Sequence, residues 1–307
     1  MNESHAHDYG HIHPISASSN LGKAFAWGVG LNLSFIVLEV VFGHIAGSVA
    51  LVADAAHNFS DVIGLLLSWG ALILAQKIPQ GRYTYGYRSA TILAVLASTL
   101  FLFVAVGDIV WSAATRFGEP VEVQTGIVMI VATVGIGING LSAWLLSRGQ
   151  DDLNVKSAFI HLVGDAAISA GVVIAGIVIH FTKWNMLDSL VSIGISALVL
   201  WGCWGVLRAA LRLALNAVPE SVRLDEVREY LKMLPGVTGA HDIHVWPIST
   251  TEIALTAHLI MPEGGRGDTF LHQTCRELHE RFGIGHTTLQ IEQGEGAECE
   301  LEPDSVV

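Results

Sequence analysis

Apolar residues fill six long stretches of the chain, roughly Phe25–Ala46, Val49–Ala75, Ala90–Trp111, Val123–Leu146, Ser157–Phe181 and Leu187–Leu211. Each is about as long as the ~20 residues that a bilayer core demands of a helix, so six transmembrane helices are predicted. The breaks carry turn chemistry: Gly47-Ser48, Pro79-Gln80-Gly81, Gly118-Glu119-Pro120, Ser147-Arg148-Gly149 and Lys183-Trp184-Asn185. An even number of spans puts both termini on one side. Lys23, Lys77, Arg82, Arg88, Arg148, Lys156, Arg208 and Arg212 fall at one set of ends and loops, and only Arg116 and Lys183 at the other. The positive-inside bias therefore predicts that both termini are cytoplasmic.

Beyond Pro219 the pattern changes: charges become frequent and no apolar run is long enough to span. Leu224, Val227, Leu231 and Leu234 form a helical stripe over Leu224–Leu234, with Ser221 a candidate N-cap. Two strand-like runs follow, His241–Ile248 and Glu252–Met261, then a helix near Asp268–Phe282 and a last strand at His286–Glu292. The order αββαβ predicts a small cytoplasmic α+β domain of ferredoxin-like type, with helices on one face of a sheet. The expected organisation is a His-rich flexible arm over 1–20, a six-helix membrane domain over 21–215, the cytoplasmic domain over 216–293 and an acidic tail over 294–307.

Composition agrees with a membrane protein. Of the 307 residues only 14% are charged, against about a quarter in a soluble domain. The net charge of -12 argues against nucleic acid as a partner, because phosphate backbones need a Lys/Arg surface. Acidic excess with 14 histidines suits cations instead. Cys203, Cys275 and Cys299 are too scattered for a disulfide framework or a zinc knuckle. No cleavable signal pattern opens the chain, so the first span is expected to stay as an anchor.

Two spans carry the chemistry. In Asp54-Ala-Ala-His57-Asn-Phe-Ser-Asp61 the four-residue spacing sets His57 and Asp61 on one helical face, with Asp54 a turn earlier. His161-Leu-Val-Gly-Asp165 repeats HxxxD in the fifth span. An Asp at mid-membrane costs about 2.5 to 3.5 kcal/mol on insertion scales, so intramembrane ionisable groups point to function. Two imidazoles and two carboxylates make an N2O2 set suited to Zn²⁺, and the carboxylate charge cancels that of the ion. Protons compete with metal for the same groups, so a proton gradient can drive metal the opposite way.

The residues alone also allow a plainer reading, in which each HxxxD is a hydrogen-bonding pair that joins helices. Asp54 and Asn58 flank the ligand positions as candidates to orient His57 or relay protons. Asn32, Glu39, Asp108, Asn139 and Asp188 are further polar residues of the spans, candidates to line a pathway or to pair across helices; Asp108 and Asp188 lie near predicted ends, where they can instead face water. His5, His7, His11 and His13 form a candidate metal-collecting arm. No HExxH, nucleophile elbow, Walker loop or dinucleotide fingerprint occurs, so a carrier is expected rather than an enzyme. A membrane-bound metal sensor or binding protein without net transport is the alternative.

Three stretches resemble the cation diffusion facilitator family of metal/proton antiporters: Gly47-Ser-Val-Ala-Leu-Val-Ala-Asp-Ala-Ala-His57-Asn-Phe-Ser-Asp61, Tyr83-Thr-Tyr-Gly-Tyr-Arg88 and His241-Asp-Ile-His-Val-Trp246. The resemblance covers nearly the whole chain. It implies a homodimer in the cell's inner membrane that exports Zn²⁺, with Cd²⁺ or Co²⁺ as further substrates, in exchange for H⁺. The transport ligands it implies are His57, Asp61, His161 and Asp165. It further implies a metallochaperone-like dimerisation domain with accessory metal sites at His241, His258 and Glu292, and with His272 and His286 as further candidates. The implied partners are divalent metal ions, protons, the lipid bilayer and a second copy of the chain. Thr91 and Ser98 stand where family members often carry Glu and Asn. The loop Gln76–Arg88 lacks the His or Asp of an additional loop site, and no His-rich loop joins spans four and five.

Overall fold

A computed structural model describes residues 19–117, 121–147, 153–265 and 267–294. The histidines of the N-terminal arm and the acidic tail after Gly294 lie outside these residues. The described elements are α1 (Ser19–Ala46), α2 (Val49–Ala75), α3 (Ala90–Thr115), α4 (Thr125–Leu146), α5 (Leu153–Thr182), α6 (Met186–Ala214), α7 (Leu224–Lys232), β1 (Gly239–Pro247), β2 (Ile253–Ile260), α8 (Asp268–Phe282) and β3 (Ile284–Glu292). Among the described residues five helical stretches are long and apolar enough to cross a membrane: Val49–Ala75, Ala90–Thr115, Thr125–Trp144, Phe159–Thr182 and Met186–Ala214. In α1 the described apolar stretch, Asn32–Ala46, is shorter. Large apolar side chains such as Val104, Trp111, Ile130, Phe181 and Trp201 stand outward on these helices. Water does not tolerate so much exposed apolar surface, whereas lipid does.

The chain divides into two compact units. The first holds α1, the part of α2 up to Val62, α4 and α5, and ends at Asp188. Its helix ends are tied together at one end. Gly47 takes φ +67° after α1, and the Gly47 and Ser48 amides donate back to the His44 and Gly43 carbonyls, which closes the helix as a Schellman turn. A side chain at Gly47 would also meet the Glu122 carbonyl at 3.0 Å. Gln124 then serves the exposed end of α1, with its amide donating to Ala46 O and its Nε2 to Ile45 O.

The N-terminus of α2 is capped from a distant part of the chain. Asp188 Oδ2 accepts the Val49 amide at 2.6 Å and the Ala50 amide at 3.4 Å, and Oδ1 accepts the Ser48 hydroxyl. Ser48 Oγ in turn accepts the Leu51 amide, and Ser48 O accepts that of Val52. The Val49, Ala50 and Leu51 amides, which a helix start leaves without intrahelical partners, are thereby satisfied, and the Val52 bond begins the regular ladder. Of the two readings of Asp188, pairing across helices and facing water, the first holds: it is 3% exposed and caps the start of α2.

Small residues let the helices of this unit approach. A Cβ on Gly176 of α5 would stand 2.9 Å from Met129 of α4, and one on Gly135 of α4 would stand 3.0 Å from Phe35 and 3.2 Å from Ser169 Oγ. Phe35, Leu51 and Val131 form the buried apolar cluster of the unit, with Phe42, Ile127 and Ile138 packed against it.

The second unit holds the remainder of α2, α3, α6 from Ser189 and the C-terminal αββαβ module. Its sheet has the order β1-β2-β3, with β1 and β2 antiparallel and β2 and β3 parallel. A parallel pair needs a crossover, and α8 supplies it. Alternate β2 residues Leu255, Ala257 and Leu259 join Val227 and Leu231 of α7 and Leu278 of α8 in the core. The helix α7 starts after Arg223 without a side-chain cap, so Ser221 does not cap it. The loop before α3 meets the β1–β2 turn: Ser89 Oγ donates to Ile248 O, the Thr250 amide donates to Thr91 Oγ1, and Arg88 pairs with Glu252 at 3.0 Å.

Candidate metal centres

His57 and Asp61 leave α2 on one face, and His161 and Asp165 leave α5 on the facing side, so the two HxxxD pairs meet within the first unit. His57 Nε2 lies 3.2 Å from Asp165 Oδ1 and 3.9 Å from Asp61 Oδ2. His161 Nε2 lies 3.2 Å from Asp61 Oδ2 and 3.6 Å from Asp165 Oδ2. The rings stand edge-on, 6.0 Å between centroids. Four ligands at the 2.0–2.1 Å of Zn–N and Zn–O bonds sit on a tetrahedron whose edges are about 3.3 Å. The separations run from 3.2 to 3.9 Å, near that value. Ligand atoms of His57, Asp61 and Asp165 fall within 4.8 Å of one another, whereas His161 stands outside that group and reaches it through the two carboxylates, so an ion bound by all four needs His161 to move inward. Exposure is graded across the site: His161 and Asp61 side chains are 49% and 37% exposed, against 14% for His57 and 7% for Asp165.

A buried polar layer adjoins these residues one turn along α2. Ser169 Oγ of α5 donates to Asp54 Oδ2 at 2.8 Å, and Asn58 Nδ2 donates to Glu39 Oε2 of α1 at 3.2 Å. Asn58 therefore turns toward α1 and not toward the imidazole of its neighbour. Ser169 has no signal in the sequence, because its partner lies 115 residues away.

A second group of ligand types lies in the αββαβ module. The β1–β2 register sets His241 opposite His258, and the β2–β3 register sets Ile260 opposite Glu292. His241 Nε2 and His258 Nδ1 lie 3.0 and 2.9 Å from the two oxygens of Glu292. Their three ligand atoms fall within 4.8 Å of one another. Asp242, which the sequence reading missed, backs this group: the ladder shifts register between His241 and His244, Asp242 takes φ +47°, and its carboxylate lies 3.4 Å from His258 Nε2, the ring nitrogen turned away from Glu292, and 2.7 Å from His244 Nε2. A bulge that re-aims a side chain in this way leaves no regular pattern in sequence. Burial raises the Glu292 carboxyl, but the His241 and Gln290 hydrogen bonds and the nearby imidazole charges outweigh it and hold the group below its usual range.

The other candidates fall elsewhere. His272 is exposed on α8, and His286, exposed at the start of β3, packs edge-on against Tyr85 at 5.5 Å. Neither shares a ligand group with His241, His258 and Glu292. Asn32 and Asp108 are exposed, whereas Asn139 is buried.

Apolar helices that bring two His–Asp pairs together, followed by a small αββαβ module, are the features of a multi-pass membrane protein that handles metal cations, and the matches to known proteins fit that class. The chain belongs to the cation efflux, or cation diffusion facilitator, family: residues 27–213 match its cation efflux transmembrane domain and residues 219–294 its cation efflux protein cytoplasmic domain. The chain is 33% identical over 306 residues to the zinc transporter ZitB of Escherichia coli (strain K12), covering 98% of this chain and 96% of the relative. It is 33% identical over 294 residues to the metal cation efflux system protein CzcD of Cupriavidus metallidurans, covering 95% and 90%. It is 30% identical over 264 residues to the cadmium, cobalt and zinc/H(+)-K(+) antiporter of Bacillus subtilis (strain 168), covering 84% and 85%.

Proposed function

We infer that the protein exports Zn²⁺ from the cytoplasm across the inner membrane in exchange for protons, with His57, Asp61, His161 and Asp165 as the transport site. The observation that carries this is the convergence of both HxxxD pairs at separations near the edge of a zinc tetrahedron. The two carboxylates neutralise the ion, so a filled site is formally uncharged in a low-dielectric setting. An empty site needs cations of another kind, and protons on the same imidazoles and carboxylates supply them. Metal and proton then exclude each other, and a site that faces each side in turn couples their gradients. The names of the relatives support zinc, with cadmium and cobalt as further substrates.

In this reading α1 is the sixth span, both termini are cytoplasmic, and the arm histidines His5, His7, His11 and His13 gather metal for the site. The domains follow the bounds 1–20, 21–215, 216–293 and 294–307, and the ferredoxin-like module pairs two copies of the chain. Asp54 serves as a proton relay beside the site.

In the cytoplasmic module His241, His258 and Glu292 make a second donor set, Asp242 holds the other ring nitrogen of His258, and His241 Nδ1 is buried without a partner among the described residues. The three suit a structural Zn²⁺, which would draw on the Glu292 carboxylate and staple the three strands, with Asp242 orienting the His258 ring. The same cluster is what favours the alternative, a metal sensor that binds without net transport. Zinc accumulation in inverted vesicles separates the two: uptake that rises with an imposed pH gradient supports the antiporter, and binding without gradient-driven accumulation refutes it.

A further inference from the structure

The first unit holds a second pair of carboxylates that the four-residue site does not use. Glu39 of α1 and Asp54 of α2 are both 0% exposed and interact electrostatically. Each has one oxygen served by a donor, Asn58 Nδ2 for Glu39 and Ser169 Oγ for Asp54. The other oxygens, Glu39 Oε1 and Asp54 Oδ1, are buried with no hydrogen-bond partner among the described residues. A buried carboxylate oxygen that lacks a donor is strongly disfavoured while ionised, and two of them on neighbouring helices call for a cation.

The surroundings say which cation. Phe35 lies one turn before Glu39 and Leu51 one turn before Asp54, and the two pack with Val131 in the apolar cluster of the unit. The side-chain atoms hydrogen-bonded to the pair among the described residues, Asn58 Nδ2 and Ser169 Oγ, are donors, whereas a metal ion needs oxygen acceptors around it. A proton needs only the carboxylates.

The position couples the pair to the metal. Asp54 and Ser169 link α2 to α5 one turn along from the place where His57 and Asp165 link the same helices. The titratable groups facing this region are Glu39 of α1, Asp54, His57 and Asp61 of α2, and His161 and Asp165 of α5; α4 contributes none. A doubly charged ion at the ligand site repels a proton held one turn away, and its departure removes that repulsion.

We propose that Glu39 and Asp54 form a proton-holding pair, separate from the metal ligands, that releases a proton as metal binds and regains it as metal leaves. This rests on the antiport reading above and assigns part of its proton to named residues outside the ligand set.

The test is zinc titration of the intact purified protein by calorimetry in buffers of differing ionisation enthalpy, which counts the protons released per zinc. Glu39→Gln and Asp54→Asn should each release about one proton fewer than wild type, with zinc affinity changed by less than about threefold. In proteoliposomes their uptake under a pH gradient should fall at least about tenfold, and Glu39→Asp should recover the proton count. An unchanged proton count in both glutamine and asparagine variants overturns the proposal. So does a loss of zinc affinity of about a hundredfold, since that is the effect of deforming the ligand site itself. Wild-type uptake that ignores the pH gradient would instead overturn the antiport reading, which keeps the two failures distinguishable.

Discussion

Replacing Asp188 by Ala removes a cap that joins the start of α6 to the start of α2, and the cost can be worked from its contacts. The carboxylate accepts the Val49 amide at 2.6 Å, the Ala50 amide at 3.4 Å and the Ser48 hydroxyl. Ser48 can rotate and still accept from Leu51, and the long Ala50 contact contributes little. The Val49 amide is left without a partner at a buried helix start, and a stranded buried donor costs about 1–3 kcal/mol. Loss of a negative charge at a helix N-terminus adds about 0.3–1 kcal/mol. The expected destabilisation is therefore about 1.3–4 kcal/mol for Asp188→Ala and about 0.3–1 kcal/mol for Asp188→Asn, which keeps an acceptor but loses the charge. The assay is denaturant unfolding of the purified protein in micelles, followed by its helical signal. Wild-type stability in Asp188→Ala would refute the capping account.

In the αββαβ module, Asp242→Ala should weaken zinc binding about 10- to 100-fold in a chelator-competition titration, and His272→Ala should leave it unchanged. Gly135→Ala should destabilise the first unit by about 1–3 kcal/mol in thermal unfolding, because the added methyl meets Phe35 and Ser169, whereas Gly137→Ala meets nothing within 4 Å and should be tolerated. The folded protein holds Glu292 below its usual value of 4.5, so this group stabilises above that pH and loses its contribution as pH falls through the depressed value. The denaturant midpoint of the metal-free module should consequently fall more steeply below that pH in wild type than in Glu292→Gln.

Much of the fold was legible because the bilayer and the turn residues leave strong marks. The bounds of α2 and α8 agree with the apolar run after Gly47-Ser48 and with the helical stretch that ends at Gly283. By contrast α5 begins at Leu153 and α3 ends at Thr115, beyond their apolar runs, since a helix continues past the hydrocarbon into polar sequence. The two HxxxD pairs were visible through their helical spacing, and the structure brings them together. What could not be read were the partners: Ser48 with Asp188 are 140 residues apart, Asp54 with Ser169 are 115 apart, and the only signal is a polar residue in an apolar run. Asp242 leaves no sequence signal because a strand bulge decides where it points, and His286, a further candidate that the family resemblance implies, packs against Tyr85 outside the His241–His258–Glu292 group.

The central claim is that four side chains on α2 and α5 carry the metal. Metal flux in proteoliposomes with an imposed pH gradient, comparing wild type with Asp61→Ala and Asp165→Ala across Zn²⁺, Cd²⁺ and Co²⁺, tests it most directly. Gradient-driven Zn²⁺ flux in wild type and its loss in both variants is the predicted result; a normal rate in either variant contradicts the site.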